Sequence, residues 1–233
     1  MRRTTPGVQL PRTTAGLVGE GAESRQRERT IRILEPLVTA ARRQRLKEVI
    51  ARRLSSVVAV LDAPYDPHNG AAVARSCEAF GVQYLHVVER PRVPFAVASS
   101  VARGAEKWVD IVRHGDAASL VTWAIHSDTA LVAAHPEGEL APEELAALPR
   151  VAIVFGNERE GIREQLALAC AARVRVPMRG FAQSLNVSVT AAVLLHAATS
   201  RRAGDLEPED QRRLYARGLY LSVPHAEDLL AED

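Results

Sequence analysis

Three short polar stretches carry the side chains of this sequence best suited to chemistry. In the first, Asp66 to Arg75 (DPHNGAAVAR), the amide of Asn69 is followed six positions later by the guanidinium of Arg75. In the second, Phe155 to Ile162 (FGNEREGI), Gly156 and Gly161 free the backbone on either side of the Glu158 carboxylate. In the third, Val176 to Asn186 (VPMRGFAQSLN), a Pro-Met-Arg-Gly turn leads into Gln183, Ser184 and Asn186, with Ser188 just beyond. An apolar helix that opens on Ser and Asn sets its first free N–H groups beside side-chain donors and acceptors, which makes a ligand-binding corner. Each stretch also has a plainer role: Asn69 as a helix cap, Arg75 as a surface charge, Glu158 as a loop carboxylate, and the third stretch as a strand, a turn and a capped core helix. A pocket requires that the three converge.

Convergence depends on the elements between them. Val57 to Asp62 is a continuous apolar run closed by Ala-Pro and Asp-Pro, as expected of a buried parallel strand. Asn69 then precedes a helical segment that ends at Gly81, and a second strand runs from Tyr84 to Val88. Strand, helix and strand in this space make a βαβ unit. The alternation continues with strands at Trp108 to Val112, Leu131 to Ala134, Val151 to Phe155 and Arg173 to Val176. The helices between and after them are expected at Ser119 to Ile125, around Leu145, near Arg163 to Cys170, and from Val187 to Ala197. The fold class is therefore α/β, a mostly parallel sheet with helices on both faces, and ligands of such sheets bind beyond the carboxyl ends of the strands.

The 233 residues fit one α/β domain with terminal extensions. Residues 1–24, rich in Gly, Thr, Pro and Arg, are expected to be disordered. Residues 25–54 form a basic helical extension that Pro36 breaks in two. It holds ten bases against three acids, and Leu46, Val49, Ile50 and Leu54 supply a stripe for packing. Arg42, Arg43, Arg45, Arg52 and Arg53 there point to a phosphate-contacting surface, against the alternative of a merely solvated charged face. The α/β domain is placed at 55–200. A tail at 201–233, with Arg201, Arg202, Arg212, Arg213 and Arg217, reads as a short basic helix. No apolar run approaches the roughly 18 residues of a membrane-spanning helix. Two distant cysteines, Cys77 and Cys170, fit a reducing, cytoplasmic compartment and give neither a disulfide framework nor a zinc site. His68 lacks a metal-ligand partner at useful spacing and is read as a loop residue near the site. No G-x-G-x-x-G follows a strand, so an ordinary dinucleotide site is not supported.

The order and spacing of Asn69 with Arg75, of Gly156-Asn157-Glu158-Arg159-Glu160-Gly161, and of Val176-Pro177-Met178 leading to Gln183-Ser184-Leu185-Asn186-Val187-Ser188 resemble the SPOUT superfamily of methyltransferases. Within it they resemble the TrmH-type RNA ribose 2'-O-methyltransferases. Ser99 to Val109 (SSVARGAEKWV) resembles the family segment before its third strand, and the likeness spans roughly Val57 to Ser200. The resemblance implies a deep trefoil knot at the C-terminal end of the domain, against the usual unknotted topology. It also implies a homodimer whose site borrows from both subunits, and S-adenosylmethionine (AdoMet) as methyl donor, with no metal. On that resemblance Ala133, Gly156, Val176, Met178, Ser184 and Leu185 would surround AdoMet. Arg75, Asn69, Glu158, Ser184 and Asn186 would serve the transfer, and Arg179 would reach RNA phosphate. A bare catalytic domain with basic flanks looks most like the tRNA enzymes that methylate guanosine 18 of the D-loop. A ribosomal RNA 2'-O-methyltransferase, including one conferring antibiotic resistance, and a non-catalytic RNA-binding protein are the alternatives.

Overall fold

Val57 to Leu61 is an unbroken apolar run, stable as a strand only when both of its faces are covered. In the computed structural model, which describes residues 20–90, 95, 104–157 and 159–231, it lies in β1 (Leu54–Asp62) near the centre of a six-stranded sheet. The other strands are β2 (Val82–Val88), β3 (Asp110–His114), β4 (Ala130–Ala134), β5 (Val151–Phe155) and β6 (Ala172–Val174). The order is β3-β2-β1-β5-β4-β6 and every pairing is parallel, with Ala59 opposite Leu85 and Ile153, and Val132 opposite Ile153 and Ala172. One face of the sheet buries Val57, Ala59 and Leu61 against α3 (Pro67–Ala79) and α6 (Val187–Thr199), through Val73, Cys77, Leu194 and Leu195. The other buries Val58, Val60 and Val154 against α4 (Ala117–His126) and the short α5 (Glu164–Ala167), through Leu120, Ala124 and Leu166.

The strand boundaries differ from expectation where buried polar side chains join the sheet. β2 starts at Val82 rather than Tyr84, and β3 at Asp110 rather than Trp108, because Gln83 and Asp110 are buried partners. Gln83 Nε2 donates to Asp110 Oδ2 and to the Trp108 carbonyl, both at 3.0 Å. Arg53 completes this network, donating to Gln83 Oε1 and to the Val82 carbonyl. At 3% exposure Arg53 is not available to RNA, which corrects the expectation for that residue. Arg202 is corrected for a similar reason. Its guanidinium donates to the carbonyls of Ala198, Pro149, Leu145 and Leu148 and to Ser56 Oγ, clamping the end of α6 to the start of the sheet. Asp205 beside it accepts from the backbone and hydroxyl groups of Ser55 and Ser56. Burial pushes the Asp205 carboxyl up, but those four donors outweigh it and hold it below the ordinary range. β6 ends at Val174, two residues early, because Arg175 turns to pair with the Leu140 carbonyl.

Residues Glu48–Glu207 form this sheet unit. The residues up to Lys47 and those from Pro208 form a second, helical one. Its helices are α1 (Glu20–Leu34), most of α2 (Ala40–Ile50), α7 (Pro208–Tyr220) and α8 (Ala226–Ala231). α1 starts inside the stretch expected to be disordered, since Ala22, Glu23, Arg25 and Gln26 are good helix formers. Residues 1–19 lie outside the described residues. Arg212 pairs with Glu28, Tyr215 donates to Glu35 at 2.6 Å, and Gly218 makes room for Leu46. Arg201 and Arg202 precede α7, so the tail is not one basic helix from residue 201.

On the α4 face, His86 Nδ1 lies 3.0 Å from His114 Nε2, both rings are buried, and Trp123 covers His86 with centroids 4.0 Å apart. Burial first, and His114 second, take the His86 pKa from 6.5 to about 3; burial also lowers that of His114, against the pull of Asp116. The unfolded chain therefore binds more protons than the folded one below about pH 6.5, and stability declines as pH falls from there toward the folded value. A His86→Phe, His114→Phe double variant is expected to lose less thermal stability between about pH 7 and pH 5 than the unsubstituted protein. Parallel melting curves over that range would reject this account.

Candidate active site

Asp62, the last residue of β1, is 1% exposed and accepts from the Arg163 backbone N–H at 2.7 Å and from Arg163 Nε at 2.8 Å. The loop that leaves β5 is thereby tied to the carboxyl end of β1. Four residues on, Asp66 accepts from the His68 N–H at 2.8 Å and caps α3, with Pro67 at the first helical position. The cap is thus Asp66, not Asn69, and His68 is an exposed residue of the first helical turn rather than a loop residue. Asn69 also lies in that turn. A Cβ on Gly70 would stand 2.5 Å from the Phe95 ring, so only glycine lets α3 approach Phe95.

The loop after β5 closes on itself. Asn157 and Gly161 exchange backbone hydrogen bonds of 3.1 and 3.0 Å, and Gly161 takes φ +70° to allow it. A Cβ on Gly156 would lie 2.1 Å from the Gly161 carbonyl carbon. Asn157 Oδ1 accepts from the N–H groups of Arg159 (3.0 Å) and Glu160 (2.8 Å), while its buried Nδ2 has no partner among the described residues. Read from the sequence alone, Asn157 has no assigned role. The signal was present, because Asn before a bend readily accepts from the N–H two residues on. Glu158 lies outside the described residues. Neither cysteine is poised as a nucleophile, since burial raises Cys77 to about 12 and burial with Asp62 raises Cys170 to about 11.

The loop after β6 behaves differently. Among the described residues, Val176 to Leu185 form no hydrogen bond, backbone or side chain. Met178, Arg179, Ser184 and Leu185 are exposed, Phe181 is fully so, and Val176 packs on the core. Asn186 then caps α6, its Oδ1 accepting from the Ser188 N–H at 2.8 Å and hydroxyl at 2.6 Å. Its Nδ2 donates to Asn69 Oδ1 at 3.2 Å. The first and third motifs therefore meet directly, at the edge where Gly156 and Asp62 also lie. Ala133 is buried one residue from the end of β4, beside Val154 and Arg173. Arg75 is not brought to Asn69. Six helical residues carry it about 120° round α3, where it is exposed and forms no ion pair or hydrogen bond among the described residues.

Fold and site define a parallel α/β protein in which the loops after β1, β5 and β6 converge at one sheet edge. Residues 56–196 match the SpoU rRNA Methylase family. The chain is 36% identical to the tRNA (guanosine(18)-2'-O)-methyltransferase of Thermus thermophilus, over 70% of this chain and 84% of that one. It is 30% identical to the 23S rRNA (guanosine-2'-O-)-methyltransferase of Coxiella burnetii, over 65% of this chain and 61% of that one. The fold superposes on the A. aeolicus TrmH/SpoU tRNA modifying enzyme with TM-score 0.70 and 26% identity, covering 79% of this chain and 98% of that one. The chain belongs to the SpoU rRNA Methylase family, with TrmH-type relatives.

Because Gly156 has no room for a side chain, Gly156→Ala must push the Gly161 backbone outward. For AdoMet, the donor that the resemblance implies, affinity measured by calorimetry is expected to fall at least tenfold, about 1.4 kcal/mol, with little change in melting temperature. Unchanged affinity would show that this loop does not shape the cofactor site.

Proposed function

We propose that the chain is an AdoMet-dependent RNA ribose 2'-O-methyltransferase that acts on guanosine 18 of the tRNA D-loop. The observation that carries the reading is the Asn69–Asn186 contact, which joins two of the three motif loops beside the open loop Val176 to Leu185. Family membership supports the chemistry. The substrate choice rests on coverage: the chain spans 84% of the tRNA relative and 61% of the 23S rRNA relative. The ribosomal enzyme is the second reading.

The third loop suits AdoMet. Adenine and ribose need apolar walls and backbone partners. Val176, Met178 and Leu185 supply the walls, and the loop's N–H and C=O groups are unengaged among the described residues. Gly156 keeps the neighbouring loop flush with the site, and Ser184 adds a hydroxyl. When bound, AdoMet supplies an electrophilic methyl group on a sulfonium. The ribose oxygen forms the new C–O bond, the methyl–sulfur bond breaks, sulfur leaves neutral as a thioether, and the hydroxyl proton must go to an acceptor. A guanidinium donates hydrogen bonds and does not serve as a base. Arg75 clamps the adjacent phosphate and orients the hydroxyl, and that phosphate or a water takes the proton. Asn69, Glu158, Ser184 and Asn186 hold the sugar and the loops, and alignment of this kind is worth roughly 7–11 kcal/mol.

The position of Arg75, about 120° round α3 from Asn69, supports a site completed by a second copy. Leu185, Val189 and Val193 are exposed at helical spacing along the start of α6, an apolar stripe suited to a homodimer interface. A knot at the third loop is supported by the segment leaving β4: Leu140 bridges Val174 in parallel, and Gly138 lies against the Val174–Arg175 backbone. Arg42, Arg43, Arg45, Arg52, Arg179 and Arg201 remain as the RNA-contacting set. Arg42, Arg45, Arg52, Arg179 and Arg201 are exposed. The compartment is taken to be cytoplasmic, in keeping with two free cysteines.

Arg75→Ala is expected to lower methyl transfer from labelled AdoMet to tRNA at least a hundredfold while AdoMet affinity stays within about twofold. Nucleoside mapping of tRNA and rRNA products separates the two substrate readings, and undiminished turnover by the variant would remove Arg75 from the site. Val189→Asp with Val193→Asp is expected to yield monomers in sedimentation, with transfer lost. A monomeric unsubstituted protein would sink the shared-site proposal.

A further inference from the structure

Tyr65 lies in the loop that leaves β1, Arg90 follows β2 closely, and Arg159 lies in the loop that leaves β5. Their side chains meet on one ring. The guanidinium carbon of Arg90 is 3.1 Å from the Tyr65 ring centroid, and that of Arg159 is 4.6 Å from it. The Tyr65 hydroxyl donates to Glu160 Oε1 at 3.2 Å, which fixes the ring's direction. Asn157 seats Arg159 and Glu160 from below by accepting both backbone N–H groups.

The charge balance of this cluster is uneven. Glu89, next to Arg90 in sequence, is committed to Arg113 and to the Phe95 N–H. Glu160 faces the phenol. Among the described residues neither Arg90 nor Arg159 forms an ion pair with a carboxylate. Two guanidiniums gathered on one ring repel each other, and attraction to the ring face returns only about 0.5–1 kcal/mol each at an exposed site. The arrangement is best satisfied by an anion. Guanidinium forks match phosphate oxygens in shape as well as charge. The ring holds them at the same sheet edge as Asn69, Asn186 and Gly156.

We propose that Tyr65 clasps Arg90 and Arg159 into a clamp for an internucleotide phosphate of the RNA strand. The proposal rests on the reading of this chain as an RNA-methylating enzyme and adds a contact that sets RNA affinity rather than the chemical step. Each arginine contributes a counterion-releasing contact, and the tyrosine is a positioning residue that acts through both.

The test uses the full chain with Arg90→Gln, Arg159→Gln, Tyr65→Leu and Tyr65→Phe. RNA binding is measured by filter retention across a potassium chloride series, AdoMet binding by calorimetry, and methyl transfer as KM against kcat. Each Gln variant is expected to weaken RNA binding about threefold to tenfold and to reduce the slope of log affinity against log salt by about 0.7 to 0.9. The loss in transfer should fall on KM for RNA. Tyr65→Leu is expected to show the loss of both arginines, and Tyr65→Phe, which keeps the ring, to recover most of it. RNA affinity and salt slope unchanged in both Gln variants would overturn the clamp. So would weakened AdoMet binding in them, which would assign the guanidiniums to the cofactor carboxylate. Because RNA binding is read directly, an unsubstituted protein that binds RNA with the expected slopes but transfers no methyl group would sink the enzymatic reading and leave the clamp standing.

Discussion

A parallel sheet covered on both faces offers no short return between neighbouring strands. Each connection must leave at one edge, cross a face and re-enter at the opposite edge. All six carboxyl ends of this sheet therefore lie along a single edge, and the loops after β1, β5 and β6 have nowhere else to go. Topology brings the loops near one another, but side chains decide how firmly. Asp62 is a buried carboxylate with a guanidinium and a backbone N–H on it, and orphaning such a charge costs roughly 3–5 kcal/mol. The Asn186–Asn69 contact is between exposed amides and is worth about 1 kcal/mol. The Arg163 end of the loop after β5 is thus firmly held, whereas the junction of the first and third loops can open at small cost.

The arginines divide along the same physical line. A buried or half-buried guanidinium is tolerated only when its N–H groups find acceptors. Arg53 and Arg202 meet that condition with carbonyls, an amide oxygen and a serine hydroxyl at the amino-terminal edge of the sheet. Arg163 meets it at the carboxyl edge with Asp62. These three are structural fasteners, and counting them toward a nucleic-acid surface overstates it. Arg52, Arg75, Arg179 and Arg201 of the same unit are exposed. Net charge in this chain is a poor guide to its partner until the fasteners are subtracted.

That division marks the boundary of what the sequence could reveal. The apolar run at Val57 and the alternation after it specified a parallel sheet with two covered faces, because burial on both sides leaves a continuous signature. The polar residues of the three motif loops could be named for the same reason: amides, glycines and a carboxylate have no place in a core unless the backbone or a ligand needs them. Arg53 could not be distinguished from Arg52 beside it, since the difference lies in Gln83 and Asp110, contributed by two other strands. The cap of α3 was misassigned to Asn69 because Asp, Pro, His and Asn are all compatible with a helix start; only the Asp66–His68 hydrogen bond selects one. The His86–His114 pair was invisible for a related reason, as pairing across β2 and β3 is a matter of register.

The third loop shows why a site of this kind is built from irregular chain. From Val176 to Leu185 the backbone satisfies none of its own hydrogen bonds among the described residues, and Phe181 and Met178 stand in solvent. An isolated loop with such exposure gains little by adopting one conformation, because each residue fixed costs about 1–2 kcal/mol of backbone entropy. A ligand that fills the loop with an apolar surface and takes up its free N–H and C=O groups repays that cost only if the two ends are already held. The ends here are β6, locked to Leu140, and the Asn186 cap of α6, locked to Ser188. The held ends thus confine to one short segment the backbone freedom that a bound ligand would have to remove.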